Sequence, residues 1–324
     1  MLALENKTGD INPIILSSLV RKISFPSIFY GCELWHNTTK SDIMKAEKLI
    51  RLAAKSIQHL PTQTRTDMAL SLIGWYPAEA EIEKRKLSFL QKLCCLNPNL
   101  LSKKLFVFRL NLFIIRGFKD QLGFIPDIMC ILTKYNLSTY LINYVRTSAF
   151  PSKPQWKNII NQAILNTHTN KWRERIDQDS DFNRFKNFHR SIAPSIFWKS
   201  ASSHRESIWA ISAIRTLTFK QFTKTITCSK CSTETNDIYK HILTECPSYN
   251  LYRNLMLTDL GETVSSNLAL HLLSADSESF FMTLYDTNIH TSFGIKESDE
   301  YKLIVKIAEY IHKVSKDYNR QSRT

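Results

Sequence analysis

The feature that constrains this chain most is a group of cysteine and histidine residues between positions 228 and 246. Two residues separate Cys228 from Cys231, nine separate Cys231 from His241, and four separate His241 from Cys246. Three thiolates and an imidazole make a closed tetrahedral set, which Zn²⁺ takes in structural sites, whereas a catalytic zinc keeps one position open. The spacing therefore predicts a structural zinc centre held by these four residues. The alternative is a chance cluster of reduced cysteines.

The residues around this motif indicate its local structure. Asn236 and Asp237 can begin a short helix that carries His241, and Pro247 interrupts the chain directly after Cys246. Four further cysteines stand in apolar surroundings, which predicts buried thiols in a reducing, intracellular compartment, nuclear or cytoplasmic. They are Cys32, Cys94, Cys95 and Cys130.

Composition and apolar spacing predict a mainly α fold. Hydrophobic residues make up 43% of the 324 residues, which is enough for a packed core, and only 7 residues are glycine. Most apolar positions recur three to four residues apart, the period of an amphipathic helix. Neither glycine-rich phosphate-binding motif occurs. The first residues do not read as a signal peptide, and no uncharged apolar run reaches about 18 residues, so no membrane partner is expected.

The formal net charge of +14 is concentrated before the cysteine motif. Residues 121–225 carry 15 Lys and Arg against 6 Asp and Glu, whereas residues 226–324 carry 10 against 13. A basic surface of this size suits a polyanionic partner, above all the backbone of RNA or DNA. The alternative is charge that only keeps the chain soluble.

One predicted helix, from Ser41 to about Leu60, separates its charge from its apolar residues. At 100° per residue, Ile50, Ala53 and Ile57 share one face, and the opposite face is almost purely cationic. An ordinary solvated helix face, which is the alternative, would mix charges of both signs. The residues predicted to contact nucleic-acid phosphates are Lys45, Lys48, Arg51 and Lys55.

Two stretches resemble a known family. The run Tyr30-Gly-Cys-Glu-Leu-Trp35 is followed by LPTQTRTDMALSLIGWYPAEAEIEKRKLSFLQKL at residues 60–93. Together they resemble the segment after the palm in reverse transcriptases of non-LTR retrotransposons. In that family the segment is a helical thumb that grips the template–primer duplex through its backbone, and a CCHC zinc motif follows. The resemblance adds a second set of expected nucleic-acid contacts: Arg65, Lys84, Arg85 and Lys86.

The sequence departs from that family where catalysis would lie. Polymerase chemistry needs an aspartate pair to hold two Mg²⁺ ions, and the sequence contains no Asp-Asp. The resemblance implies that fingers and palm would precede residue 1. No carboxylate cluster typical of an endonuclease follows Cys246, and the nine-residue gap without glycine differs from the retroviral knuckle. We therefore expect a non-catalytic protein.

The predicted organisation has four parts: a thumb-like helical domain at 1–120, a basic helical middle at 121–220, a CCHC zinc module at 221–250 and C-terminal helices at 251–324. Basic and aromatic residues alternate between Trp172 and Arg215, as in proteins that stack single-stranded bases, but aromatics at helical spacing are more often core, and core packing is the favoured interpretation. The predicted function is nucleic-acid binding by the C-terminal portion of a reverse transcriptase. The alternative is a helical protein-interaction module with a structural zinc.

Overall fold

The computed structural model describes residues 11–35, 39–116, 123–179, 182, 184–219, 225–286 and 288–321. Over these residues the fold is mainly α, as predicted. Two short strands, β1 (Ile226–Thr227) and β2 (Glu234–Thr235), pair antiparallel with Ile226 opposite Thr235. In the described part of the chain, each helix is too short or too polar to cross a bilayer.

The α-helices are α1 (Pro13–Ile28), α2 (Lys40–Ile57), α3 (Thr66–Ser71), α4 (Ala78–Cys95), α5 (Leu101–Arg116), α6 (Phe124–Lys134), α7 (Ser138–Thr147), α8 (Lys153–Gln178), α9 (Phe185–Phe188), α10 (Ile196–Ser200), α11 (His204–Leu217), α12 (Ile238–Lys240), α13 (Asn250–Thr263), α14 (Ser266–Ser274), α15 (Ser277–Tyr285), α16 (Ile289–Ser292) and α17 (Glu297–Gln321). Cys32–Leu34 and Pro247–Tyr249 form 3₁₀ turns, and His241–Glu245 forms a π-helical turn.

The chain divides into two compact units. Among the described residues, the first unit contains those within Met1–Leu19, Leu52–Trp75 and Arg175–Thr324, and the second contains those within Val20–Arg51 and Tyr76–Glu174. The four-part organisation expected from the sequence stays a prediction.

The core of the second unit is built around α4. Leu87 and Leu90 are fully buried there among apolar side chains of α5, α6, α7 and α8. Trp156 of α8 is also buried, and its indole Nε1 donates a hydrogen bond of 2.8 Å to the Leu87 carbonyl oxygen. Burying large apolar and aromatic side chains supplies most of the free energy of folding in such a unit.

Both ends of α4 are satisfied by charged side chains from elsewhere in the second unit. The carboxylate of Glu47 accepts from the backbone N–H of Ala78 at 2.6 Å, where α4 begins. The ammonium of Lys103 donates to the carbonyl oxygens of Leu93 and Cys94 at 3.0 and 2.6 Å, where it ends. These are the backbone groups that a helix leaves without internal partners, and each charge has the sign that the helix dipole favours.

The acidic residues in the first turns of α4 form ion pairs and hydrogen bonds within the second unit. Lys134 of α6 lies 2.9 Å from a carboxylate oxygen of Glu79 and 2.8 Å from one of Glu83. The Glu83 carboxylate also accepts from the Tyr135 hydroxyl, which lies 2.9 Å from Nε2 of His168. Burial raises the pKa of Glu83 against the lowering effect of these hydrogen bonds.

The expectation of four buried thiols is confirmed for two cysteines and wrong for two. Cys32 and Cys94 are buried, and burial raises their pKa values to about 11 and about 12. Cys95 and Cys130 are exposed. Both stand in apolar sequence, but Cys95 is the last residue of α4 and Cys130 lies on the outward side of α6. Local composition therefore did not reveal which face of the helix each one occupies.

In the first unit, α11 and α17 pack along each other. An apolar stripe of α17 is buried, with Leu303, Ile307 and Ile311 fully inaccessible. Ser203 and Glu206 form a capping box at the start of α11, which fixes where that helix begins. Core packing of the alternating aromatics is confirmed: Trp172 is buried in the second unit, and Phe185, Phe188 and Trp198 are buried in the first.

A close backbone approach in the first unit requires glycine. Gly74 follows α3 with φ +68°, and a Cβ atom there would lie 2.9 Å from Cδ of Pro194. The neighbouring residue Ile73 forms an isolated antiparallel bridge with Pro194, and the backbone N–H of Ser195 donates to the Leu72 carbonyl oxygen at 2.9 Å. Gly74 therefore allows a tertiary contact that a residue with a Cβ atom would obstruct.

Candidate metal centre

The first two candidate ligands come from the loop between β1 and β2. The backbone N–H of Cys228 donates to the Thr233 carbonyl oxygen at 2.9 Å, and the N–H of Ser232 donates to the Cys228 carbonyl oxygen at 2.9 Å. Ser232 closes the loop in the left-handed region with φ 60°. The loop is so tight that Cys228 and Cys231 present their sulfurs from one turn, as the two-residue spacing predicts.

The other two candidate ligands come from one continuous turn of chain. Asp237 caps α12, accepting from the backbone N–H of Lys240 at 3.0 Å, so the expected short helix does begin there. It passes into the π-helical turn His241–Glu245, and the N–H of Cys246 donates to the His241 carbonyl oxygen at 2.8 Å. In an α-helix, side chains five residues apart point about 140° apart. The wider π turn brings His241 and Cys246 to the same side.

The four candidate side chains converge on one point. Their ligand atoms all lie within 4.8 Å of one another. The sulfurs of Cys228 and Cys246 are 4.0 Å apart, and the sulfur of Cys231 is 3.1 Å from Nε2 of His241. Sulfurs bound to one tetrahedral Zn²⁺ at about 2.3 Å would lie about 3.8 Å apart, and a disulfide would need about 2.0 Å. The residues can hold a metal ion, and their spacing is compatible with zinc.

The cluster is shielded from solvent. The exposed fractions of Cys228, His241 and Cys246 are 1%, 3% and 0%, and Cys231 is half-buried. Protein atoms therefore surround the point of convergence on nearly all sides.

A carboxylate contacts the ring nitrogen of His241 that does not face the other candidate ligands. Nδ1 of His241 lies 3.2 Å from Oε2 of Glu245, and Oε1 of Glu245 accepts from the Ser277 hydroxyl at 2.6 Å. These hydrogen bonds, with that of Ser277 the largest, lower the pKa of Glu245. Histidine ligands usually donate their second ring N–H to a carboxylate in this way, which leaves the other nitrogen free for the metal. In this cluster the free nitrogen is Nε2.

The thiols experience opposite electrostatic effects. Contact with the Thr233 hydroxyl at 3.2 Å, followed by contacts with the backbone and His241, lowers the pKa of Cys231 to about 6. Burial raises the pKa of Cys246 to about 11. Cysteine binds metal as the thiolate, so a metal ion that binds at neutral pH must displace the proton from the Cys246 sulfur.

The loops around the cluster are attached to α13 and α17. The guanidinium of Arg253 donates to the Cys246 carbonyl oxygen at 2.7 Å. Asp317 accepts from the Tyr249 hydroxyl at 3.1 Å and lies 2.8 Å from the Lys230 ammonium. The positions of these loops and of the C-terminal helix are therefore interdependent.

The cationic residues predicted on α2 lie on its outer side. Lys45, Lys48 and Arg51 are exposed and Lys55 is half-buried. Lys45 lies 3.2 Å from a carboxylate oxygen of Asp42, Arg51 lies 3.2 Å from one of Glu47, and Lys55 donates to the Thr62 carbonyl oxygen at 2.6 Å.

The apolar face of α2 is buried as predicted, with Ile50, Ala53 and Ile57 at 8% exposure or less. The expectation that the outer face is almost purely cationic is wrong, because Met44 and Leu52 are exposed among the basic residues. The sequence argument counted only the charged residues on that face, so it overlooked these two apolar positions.

The second set of predicted contacts is largely occupied within the protein. Lys86 is buried, and its ammonium contacts the Trp35 carbonyl oxygen and the Asp127 carboxylate. These bonds assign Lys86 a structural role.

The other three residues of this set are only partly available for contact with nucleic acid: Arg85, Lys84 and Arg65. The guanidinium of Arg85 lies 5.2 Å from the centre of the Phe29 ring, and burial lowers the pKa of Lys84. Arg65 pairs with Asp179 and stacks on Phe182 at 5.3 Å. Nucleic-acid contact by these three residues stays a prediction.

Sequence reasoning missed the residues that surround the cluster. Glu245 stands four positions after His241, a spacing at which helical side chains meet, so it could have been proposed as the supporting carboxylate. Ser277 carries no such signal, because it reaches Glu245 from a helix more than thirty residues further along the chain.

No protein-family model matches the chain, and no curated protein or solved structure matches it either. The resemblance to reverse transcriptases thus depends on the sequence motifs quoted above.

Proposed function

We propose that this chain is a non-catalytic, nucleic-acid-binding C-terminal portion of a non-LTR retrotransposon reverse transcriptase, with a structural zinc ion held by Cys228, Cys231, His241 and Cys246. The observation that carries the proposal is the buried convergence of three sulfurs and one nitrogen after a long basic segment. Thumb-like motifs followed by a CCHC centre occur in that order in the family that the sequence resembles.

The donor set supports a structural rather than a catalytic zinc. Zinc prefers sulfur and imidazole ligands, whereas hard cations such as Mg²⁺ prefer oxygen ligands. Four protein ligands fill a tetrahedron, and the burial of Cys228, His241 and Cys246 gives a substrate little access. The ion would hold the loop of Cys228 and Cys231 against the turn of His241 and Cys246.

The exposed basic residues support the nucleic-acid part of the proposal. Lys48 is exposed on the outer face of α2, beside Lys45 and Arg51, whose carboxylate partners lie on the same helix. The pair of Lys45 with Asp42 is a surface pair, which is weak and can be exchanged for a phosphate contact, whereas the Glu47 partner of Arg51 is buried. Contacts with phosphates fix a protein on a duplex without reading its sequence.

Elemental analysis of the purified, reduced protein tests the metal. We expect one equivalent of zinc per chain. Well under half an equivalent, with the thiols shown to be reduced, would contradict a structural zinc centre.

Salt-dependent binding tests the nucleic-acid role. We expect the variant with Lys45, Lys48, Arg51 and Lys55 all changed to Gln to bind duplex DNA with a log–log salt slope flatter by about two to four units than the wild type. The matched control changes four exposed cations of the second unit: Lys104, Arg146, Lys153 and Lys157. Equal losses in both variants would show that binding is diffuse charge attraction.

A primer-extension assay tests the non-catalytic part. We expect no template-directed incorporation with Mg²⁺ or Mn²⁺, since the sequence lacks the aspartate pair. Incorporation that survives stringent purification would overturn this reading.

One observation favours the second candidate, a helical protein-interaction module with structural zinc. Along α5, Leu101, Leu105, Phe108 and Ile115 follow a helical spacing and are all more than half exposed. Contiguous exposed apolar residues often mark protein-binding surfaces. This candidate predicts that changing Leu105 and Phe108 to Glu abolishes a protein–protein association seen with the wild type. It also predicts that the quadruple α2 variant lowers nucleic-acid affinity no more than its matched control does.

A further inference from the structure

A groove in the first unit lies beside the packed helices α11 and α17. It has two sections, with volumes of about 400 and about 520 Å³. Both sections are lined by Ile208 of α11 and by His312, Lys316 and Arg320 of α17. The two sections are therefore neighbours that share these four residues along α11 and the C-terminal helix.

The groove is basic along one face of α17. Lys313, Lys316 and Arg320 are exposed and follow a spacing of three and four residues, which aligns them on one side of the helix. Among the described residues, Lys316 and Arg320 have no ion-pair partner. Arg205 of α11 lies on the opposite wall and is also exposed.

Two carboxylates lie near these cations, and neither cancels the charge. Glu309 lies 3.0 Å from Lys313 and 3.8 Å from Arg205, so it offsets one of them. Asp317 also lines the first section, where it lies 2.8 Å from the Lys230 ammonium and accepts from the Tyr249 hydroxyl, so Lys230 offsets its charge. The groove keeps a net positive charge, although residues 226–324 as a whole are slightly acidic.

Aromatic rings line the same groove. Trp209 is half-buried in α11, and the guanidinium of Arg205 lies 4.8 Å from the centre of its ring. Tyr252 of α13 lines the first section and Tyr239 of α12 the second. Half-buried rings beside a row of cations are what proteins use to bind single strands, because bases stack on the rings while phosphates meet the charges.

We propose that this groove binds single-stranded nucleic acid, with phosphates along Lys313, Lys316 and Arg320 and a base stacked on Trp209. The inference rests on the proposed nucleic-acid role of the chain and gives it a second surface, separate from the outer face of α2. A duplex is a poorer fit, since its bases are stacked on each other and cannot reach Trp209. An acidic peptide would use the charges and leave the rings without a role.

The test measures binding of a fluorescein-labelled 12-nucleotide single strand, as RNA and as DNA, to the full zinc-loaded chain. We expect Trp209→Ala to weaken binding about 5- to 150-fold with an unchanged salt slope, because stacking contributes about 1–3 kcal/mol per base. We expect the double change Lys316→Gln and Arg320→Gln to flatten the slope by about 1.4 units. The control Lys104→Gln with Lys153→Gln should alter neither quantity.

Several results would contradict the binding of single-stranded nucleic acid in this groove. Unchanged affinity in Trp209→Ala, equal competition by a duplex of the same length, or an unchanged slope in the double variant would overturn the groove proposal. The double variant changes only exposed residues, so it remains a valid test even where Trp209→Ala fails to fold. Equal competition by poly-glutamate, with Trp209→Ala binding normally, would point instead to an acidic protein partner.

The groove proposal and the broader function fail in distinguishable ways. Wild-type binding that survives every groove variant, and depends on the α2 cations, removes the groove and leaves the proposed function standing. Wild-type protein that binds no nucleic acid at moderate salt removes both. A preference for RNA over DNA, or the reverse, in the wild type that is lost in Trp209→Ala supports the groove and identifies its strand.

Discussion

The segment that carries the cysteine and histidine cluster and the core of the second unit are stabilised by different interactions. Around α4, Leu87, Leu90 and Trp156 are almost completely buried among apolar neighbours. The cluster segment consists of two two-residue strands, a three-residue helix and short turns. Elements this short cannot bury enough apolar surface to be stable alone, whereas four converging ligands can be fixed by one ion.

The comparison teaches that two parts of one chain should respond to different perturbations. Loss of a metal should disorder the cluster segment and leave the core around α4 intact. Loss of a core side chain should do the reverse. Four experiments, from the largest expected effect to the smallest, examine that separation.

Metal removal should have the largest effect. Structural zinc contributes about 10–16 kcal/mol of apparent binding free energy in small zinc-finger peptides, so chelation should greatly loosen residues 225–249. We expect hydrogen exchange to accelerate at those amides, while amides of α4 and α6 keep their protection. Hydrogen exchange that accelerates uniformly over the whole chain, or not at all, would contradict the claim that the two parts are stabilised by different interactions.

A core truncation should affect the second unit by a smaller amount. Leu87→Ala removes a fully buried side chain and should lower the free energy of unfolding by about 2–5 kcal/mol. Ser88→Ala changes the exposed neighbour and is the control, with an expected effect within about 0.5 kcal/mol. Denaturant unfolding and zinc analysis together check this prediction, which requires full zinc content in both variants.

Acid should destabilise the first unit through a buried histidine that is not a candidate ligand. Burial lowers the pKa of His189 to about 4 from the ordinary 6.5. The unfolded chain then binds more protons, so the contribution of His189 to stability is complete above about pH 6.5 and is lost as the pH falls towards 4. We expect a loss on the order of 2 kcal/mol between pH 7 and pH 5.

Comparison with His189→Gln isolates this effect from the acid sensitivity of the metal ligands. That variant should show a correspondingly flatter dependence of unfolding free energy on pH in the same range. Identical pH dependence in the wild type and the variant would show that His189 is not buried in its neutral form.

The supporting carboxylate should have the smallest of these effects. Glu245→Gln weakens the acceptor of the His241 Nδ1–H, and such outer partners typically change metal affinity 10- to 100-fold. Because 43% of the Glu245 side chain is exposed, we expect about the lower limit, tenfold. Competition with a zinc-binding dye measures it, and Glu278→Gln, an exposed carboxylate paired with Lys240, is the control.

Those features that depend on local pattern could be predicted from the sequence. The bounds of α4 follow from Pro77, the acidic first turn and the apolar period, and the four candidate ligands follow from their spacing. The burial of Ile50, Ala53 and Ile57 follows in the same way from helical angles.

Features that depend on tertiary packing could not be predicted from the sequence. No residue pattern marks a π turn, yet it is this turn that brings Cys246 beside His241. Trp209 and Lys316 are more than one hundred positions apart, so only the packing of α11 on α17 joins them in one groove. The exposure of Cys95 and Cys130 likewise depends on which helix face meets the core.

X-ray absorption at the zinc edge, on the purified full chain, tests the central claim most directly. The account predicts three sulfur neighbours at about 2.3 Å and one nitrogen at about 2.0–2.1 Å. Cys231→Ser should lower the sulfur count to two. A shell dominated by oxygen, or an unchanged sulfur count in Cys231→Ser, would contradict a zinc centre built from Cys228, Cys231, His241 and Cys246.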